Sequence, residues 1–297
     1  MTHAAASAGA GRLALGTAQF GLDYGIANAG RVPPADVAAI LATAAAAGVD
    51  TLDTAIAYGD SEAALGDAGV SGWRVITKLP GLPERLPAIG DWVREQVAAS
   101  LDRLKLDRLE GVLLHQPADL LGNAGPELAA ALERIRSDGM TAAVGISIYD
   151  PAELPALVTV MRPDIVQAPF NVLDRRLESS GWLARLAADG VRVHVRSAFL
   201  QGLLLMDADA RPDYFERWRT LLDQWRSWCD HQRRSPSSLA LGFALAQSNI
   251  ERVVVGVDSP AQLDAAIEAA GGKPNLPPDA LQNDDPDLLN PSNWRLQ

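Results

Sequence analysis

Cysteine is almost missing from this chain of 297 residues. Cys229 stands alone, so no disulfide can close within the chain, and the composition fits a reducing compartment. Histidine is scarce too, at four residues, and no metal-ligating cluster is visible in the spacing of the chain. Basic residues are outnumbered: 26 Lys and Arg stand against 37 Asp and Glu, a net charge of −11. That balance argues against nucleic acid and anionic membranes as partners. Long apolar runs are absent. The Ala42–Ala47 stretch sits within a short helix, and no run reaches the ~18 residues a membrane span needs. Met1–Gly11 shows no charged region followed by an apolar one, so this small, Ala-rich segment is expected to be a flexible end. A cytoplasmic location is the expectation. Also missing is a GxGxxG turn after the first strand, which an open dinucleotide-binding sheet would require. The nearest approach, Gly16 to Gly21, has its glycines at the wrong spacing.

What the chain does have is a rhythm. Short β-rich apolar runs occur near Leu13–Gly16, Thr51–Asp53, Val75–Lys78, Gly111–Leu114, Ala143–Ser147, Ile165–Ala168, Val191–Val195 and Val253–Gly256. Such runs mark strands buried on both faces, as in a parallel sheet. Helical patterns lie between most of them. One opens at Pro33-Pro34-Ala35-Asp36 and closes at Gly48; others cover Trp92–Arg103, Glu127–Asp138, Pro151–Val160, Trp182–Asp189, Tyr214–Cys229, Pro236–Gln247 and Pro260–Ala270. Eight strand–helix units in about 270 residues predict a single-domain α/β fold, the (β/α)8 or TIM barrel. The barrel is expected over residues 12–270, after a flexible segment 1–11. Segment 271–297 is proline-rich and cannot form a regular element. It nevertheless carries Leu288, Leu289, Trp294 and Leu296, so it is expected to fold back over the barrel, with the substrate mouth as one candidate position.

Four polar residues end or follow successive strands: Asp53 and Tyr58 after the second, Lys78 in the third, His115 after the fourth. The carboxyl rim of a barrel is where active sites are built. Tyr58, with an ordinary pKa near ~10, can give a proton to a carbonyl oxygen if a neighbouring ammonium draws that pKa down, and Lys78 is the candidate. Asp53 would orient Lys78, and His115 would donate to the same oxygen from the other side. These groups contain no nucleophile–base pair and suit proton transfer coupled to hydride transfer, the hydride coming from a nicotinamide. Singly, each has a plainer reading as a cap, a packed aromatic, a solvated cation or a turn histidine. Four in this order are hard to produce by chance.

The segments DTAIAYG (Asp53–Gly59) with SEAALG (Ser61–Gly66), ITKL (Ile76–Leu79) and LLHQP (Leu113–Pro117) resemble the aldo-keto reductase superfamily. The resemblance runs from Leu13 to about Ala270 and implies a (β/α)8 barrel that binds NAD(P)H across its rim. It assigns the catalytic roles to Asp53, Tyr58, Lys78 and His115. It further implies Gly16 and Thr17 near the nicotinamide, Ser147 and Gln167 on the carboxamide, and Arg196 in place of the usual aromatic that stacks on the ring. The usual Asn beside Ser147 is Ile148 here. Ser197, Gln201 and Gly202 would line the pyrophosphate.

The departure from the family pattern is largest after the last strand. Many members bind the 2′-phosphate of NADPH there with Lys or Arg. This chain has Gly256, Val257, Asp258 and Gln262, with no cation. Asp258 would repel a phosphate and accept from a ribose hydroxyl, so the cofactor expectation is NAD(P)H with a lean to NAD(H). Gly16–Asn28, Gln167–Arg176 and Val195–Leu205 are similar to a bacterial branch of the family with sugar-related members, which suggests a sugar-derived carbonyl. Phe20, Tyr24, Asn171, Arg175 and Arg176 are candidates to meet it, the last two equally readable as a salt-bridged turn with Asp174. The function expected is interconversion of an aldehyde or ketone and its alcohol. Two alternatives stand beside it: a nucleotide-sensing subunit on the same barrel, and a redox-neutral sugar epimerase or lyase with bound cofactor. The partner expected is a small molecule, and oligomeric state is open.

Overall fold

The computed structural model describes residues 9–26, 30–86, 88–273 and 276–296. Eight strands form one closed parallel barrel: β1 (Leu13–Gly16), β2 (Thr51–Asp53), β3 (Arg74–Leu79), β4 (Gly111–Leu114), β5 (Val144–Ser147), β6 (Ile165–Pro169), β7 (Arg192–Arg196) and β8 (Arg252–Gly256). Each pairs with its sequence neighbour. β8 returns to β1, with Leu13 opposite Val253 and Gly16 opposite Gly256. The chain is therefore a single-domain (β/α)8 barrel, as its strand–helix rhythm predicts.

Buried strands on a closed sheet divide their side chains between two compartments. Most of the apolar residues form one continuous core between strands and helices, among them Leu15, Leu52, Val75, Val112, Val166 and Val193. A separate cluster of Ile76, Leu113, Ala143 and Ile165 fills the barrel interior. Two positions further along β3 and β6, on the same face, come Lys78 and Gln167. The interior thus turns from hydrocarbon to polar groups at the carboxyl rim.

The predicted helices fall close to their spans, and a further helix that the periodicity did not reveal, Ser61–Ala68, lies between β2 and β3. The third strand's helix begins at Ile89 rather than Trp92, because Ile89 is itself part of the core. Pro151–Glu153 forms a tight 3-10 turn, capped by Asp150 and Glu153, before the helix Leu154–Val160. Likewise Asp213–Trp218 is a 3-10 segment, and the helix proper is Arg219–Gln232. Of the expected flexible start, residues 1–8 lie outside the described residues. Gly9–Gly11 correct that expectation: Ala10 is buried, and a Cβ on Gly9 would come within 2.0 Å of the Ala270 carbonyl oxygen. Arg12 then donates to the carbonyls of Leu245, Gln247 and Ile250.

Beyond the last helix, Leu281, Leu288 and Leu289 are buried in the main core, and Trp294 packs edge-on against Phe215 at 4.9 Å. Arg175 joins this segment to the turn after β6. It donates to the carbonyls of Pro277 and Pro278, pairs with Asp279 and lies over the Phe243 ring. Among the described residues, no helix is long and apolar enough to cross a membrane.

Candidate active site

The turn after β2 is held from three sides. Thr54 and Ile56 donate their backbone N–H groups to Ile76 and Lys78 of β3. Ser61 Oγ donates to Thr17, whose own hydroxyl donates to the Asp53 carbonyl. Gly21 touches the turn directly: a Cβ there would sit 1.9 Å from the Tyr58 carbonyl oxygen. Tyr58 is thereby fixed at the edge of a cleft of about 370 Å³ that opens at the carboxyl ends of β1, β7 and β8.

Beside it, Lys78 Nζ donates to Asp53 Oδ2 at 2.7 Å and to the Thr54 carbonyl at 2.9 Å, and lies 5.2 Å from the centre of the Tyr58 ring. The His115 ring meets the Tyr58 ring edge-on, 5.8 Å between centres. The four residues taken together from the sequence are therefore brought together in space. Among the described residues, no group of three or more His, Cys, Asp or Glu is placed to hold a metal.

The electrostatics differ from the expectation in one respect. Lys78 does not draw the Tyr58 phenol down. Burial raises the phenol well above 10.0, Asp53 raises it further, and Arg196 opposes them. The reason is burial first, which disfavours the phenolate, and then the nearby Asp53 carboxylate, which repels it. Burial also lowers the Lys78 pKa, against the pull of Asp53. His115 is pushed down to about 4 by burial, then by Lys78 and Arg196, so its imidazole is neutral near pH 7. A neutral imidazole still has one N–H to donate.

The cleft is lined by residues that include Gly16, Thr17, Tyr24, Arg196, Ser197, Gln201, Gly202, Gly256, Val257, Asp258 and Gln262. Gly16 and Gly256 stand side by side on β1 and β8, and neighbouring side chains occupy the space their missing Cβ atoms leave. A Cβ on Gly256 would meet the Gln19 side chain at 2.7 Å, and one on Gly16 would meet Val254 at 3.1 Å. The loop after β7 carries Ser197, Leu200 and Gln201 at φ of 62°, 47° and 52°, followed by Gly202. Left-handed backbone in non-glycine residues concentrates at binding sites, where it aims N–H groups at a ligand. Asp258 Oδ1 is buried with no hydrogen-bond partner, and burial raises that carboxyl's pKa. Arg196 is the one cation among the described residues lining the cleft. The paired glycines, the left-handed loop and the free Asp258 oxygen would fit a nicotinamide dinucleotide.

Several expected contacts fall elsewhere. Phe20 is 1% exposed and belongs to the core, because the short helix Ala18–Gly21 turns its ring inward. Asn171 is fully buried. Its side chain accepts from the Leu173 and Asp174 N–H groups and donates to the Ser197 carbonyl, and its burial keeps it from substrate. Arg175 serves the C-terminal segment, and Arg176 pairs with Asp174 and Asp150, so both are structural. Thr17 borders the cleft, but its hydroxyl is engaged with Asp53 and Ser61. Ser147 and Gln167 do not line the cleft; they bond to each other and, through Gln167, to Asp53. Arg196 lies 4.4 Å from the centre of the Tyr149 ring and donates to the Ile148 carbonyl. None of the described residues after Ala270 lines the cleft. Tyr149 went unnoticed in the sequence, although it lies two residues past Ser147 at the end of β5. A larger hollow of about 580 Å³, near Arg136, Asp164 and Arg192, lies toward the opposite end of the strands and contains none of the four residues.

A profile of the Aldo/keto reductase family matches residues 12–281. The chain belongs to that family, whose members are NAD(P)-dependent oxidoreductases. Among curated proteins it is similar to the NADH-specific methylglyoxal reductase of Escherichia coli K12, 30% identical over 193 residues. That match covers 60% of this chain and 59% of the relative, somewhat under two thirds of the latter's length. The D-threo-aldose 1-dehydrogenase of a Pseudomonas species is 28% identical over 304 residues, covering 86% of this chain and 91% of its own. In fold the chain is similar to an aldo-keto reductase from Bacillus halodurans in its holo form, with a TM-score of 0.69 at 22% identity and coverage of 89% and 88%.

Proposed function

We propose that the protein is an NAD(H)-dependent oxidoreductase that reduces a small aldehyde or ketone, of the kind derived from sugars. The observation that carries this reading is the grouping of Tyr58, Lys78, Asp53 and His115 at the edge of a cleft suited to a dinucleotide. The names of the relatives, a methylglyoxal reductase and an aldose dehydrogenase, favour small sugar-related carbonyls. The single cysteine, buried as a thiol, favours a reducing compartment such as the cytoplasm.

The cofactor, when bound, supplies the hydride. Tyr58 and neutral His115 hold the carbonyl oxygen between them by donated hydrogen bonds. As that oxygen gains charge it becomes an alkoxide, a stronger base than a phenolate. Tyr58 can therefore deliver its proton without a lowered pKa, and the raised value keeps the proton in place until it is needed. Lys78, held by Asp53, lies beside the ring and stabilises the phenolate left behind. Asp258, with Oδ1 buried and free, favours a ribose hydroxyl over a phosphate.

The test is binding of NADH and NADPH, followed by tryptophan fluorescence, and then turnover of methylglyoxal and aldoses with the tighter ligand. Tighter NADH binding that Asp258→Asn weakens is the expected result. Tighter NADPH binding, unmoved by that variant, would overturn the cofactor assignment.

A further inference from the structure

Arg196 ends β7 and, half-buried, lines the cleft together with Tyr24, Asp53 and Tyr58. Its guanidinium meets neutral groups: it donates to the Ile148 carbonyl at 3.1 Å and to the Ser197 hydroxyl at 3.4 Å, and it lies over the Tyr149 ring. Among the described residues, no carboxylate pairs with it. Arg175 and Arg176, in the turn after β6, are by contrast matched by Asp279 and by Asp174 and Asp150. The two carboxylates of the cleft lining are otherwise engaged. Asp53 is held by Lys78 at 2.7 Å, and Asp258, past β8, is governed by burial and then by Gln262. Burial is the largest influence on Tyr24, Tyr58, Lys78 and His115, and the charge of Arg196 acts on all four. Its field therefore spans the catalytic group without a paired counter-charge.

We propose that Arg196 makes the site discriminate between the two oxidation states of the cofactor, holding NADH more tightly than NAD+. The proposal rests on the NAD(H)-dependent reading given above. A ring that gives hydride to a carbonyl held by Tyr58 and His115 stands within the field of Arg196. That ring is neutral in NADH and a cationic pyridinium in NAD+, while the pyrophosphate, riboses and adenine are the same in both. An unpaired guanidinium repels the pyridinium, and in a half-buried cleft it does so more strongly than in water. The net charge of −11 works the other way, since the molecule as a whole attracts cations. A charge-based preference for NADH thus has to be local, and Arg196 is the one cation among the described residues lining the cleft. After each turnover the oxidised cofactor is the form the site releases.

Calorimetric titration of the full chain with NADH, NAD+ and ADP-ribose tests this, in the wild type and in Arg196→Gln and Arg196→Lys. In the wild type NADH is expected to bind about tenfold or more tighter than NAD+. Arg196→Gln should bring that ratio to within about threefold of unity, chiefly by tightening NAD+, with ADP-ribose, which has no ring, changed by less than about twofold. Arg196→Lys keeps the charge and should keep most of the ratio. Equal weakening of all three ligands in Arg196→Gln, with the ratio unchanged, would overturn the proposal and place the guanidinium on the pyrophosphate. A wild-type protein that binds NAD+ as tightly as NADH would overturn it without any variant, whether or not the variants fold. A wild-type protein that binds neither nucleotide would instead defeat the reading beneath it, and the proposal with it.

Discussion

A phenol that burial holds protonated has a directional consequence. Reduction consumes the proton Tyr58 already carries, whereas oxidation of an alcohol needs the phenolate, which the site disfavours. Reduction is therefore expected to be nearly flat through neutral pH, and oxidation to climb into the alkaline range; parallel pH–rate profiles in the two directions check this. Tyr58→Phe should lower turnover by about 10²–10⁴-fold and leave NADH binding intact, as measured by fluorescence titration. Retained turnover would remove Tyr58 from its role. The four residues at this centre were legible in the sequence because each ends or closely follows a short apolar run, which places it at the carboxyl rim. Gln167 was legible as a site residue, but its partner was not: Asp53 lies 114 positions away, and no local pattern reports which side chains meet across a closed ring. Asn171 and Phe20 misled for the opposite reason. Both sit in rim loops, where a polar or aromatic residue reads as exposed, and both turn inward.

The loops are where the barrel departs from a repeating unit. The segment after β1 presses on the turn that carries Tyr58, and Gly21 is the point of contact. Gly21→Ala is expected to cost about 1–3 kcal/mol of stability through overpacking. It should also reduce kcat, because the easiest relief is to move the Tyr58 turn; thermal melting and steady-state kinetics measured together separate the two effects. The loop after β7 is held by Asn171, which donates to the carbonyl of Ser197, the first residue of the left-handed stretch. Strand spans, and most helix spans, were legible from periodicity to within a few residues; the helix Ser61–Ala68 was not. The 3-10 segments at Pro151–Glu153 and Asp213–Trp218 were not, since their composition suits a helix and only packing tightens the turn.

The whole molecule is expected to lose stability on acidification in two stages. His115 has its pKa depressed to about 4 from 6.5. The unfolded chain therefore binds the proton first, and stability falls as pH drops through that window. Glu251 is held at about 2 rather than 4.5 by His194, 3.5 Å away, and then by Arg192 and Arg252. The stability this contributes is present above 4.5 and is lost as pH falls toward 2. Melting curves at intervals from neutral to strongly acidic pH should show both losses, with His115→Gln removing the first and Glu251→Gln the second. A melting temperature constant between pH 6.5 and 4 would contradict the first.

A line of hydrogen bonds, from Ser147 through Gln167 and Asp53 to Lys78, takes its members from β5 and β6 on one side and from β2 and β3 on the other. Neither half of the barrel contains it. A chain cut between β4 and β5 would yield two fragments, one holding the Lys78–Asp53 pair and the other the Gln167 and Ser147 that bond to it. Activity regained on mixing such fragments would then report the closing of the ring itself, a signal that no measurement of helix content could supply.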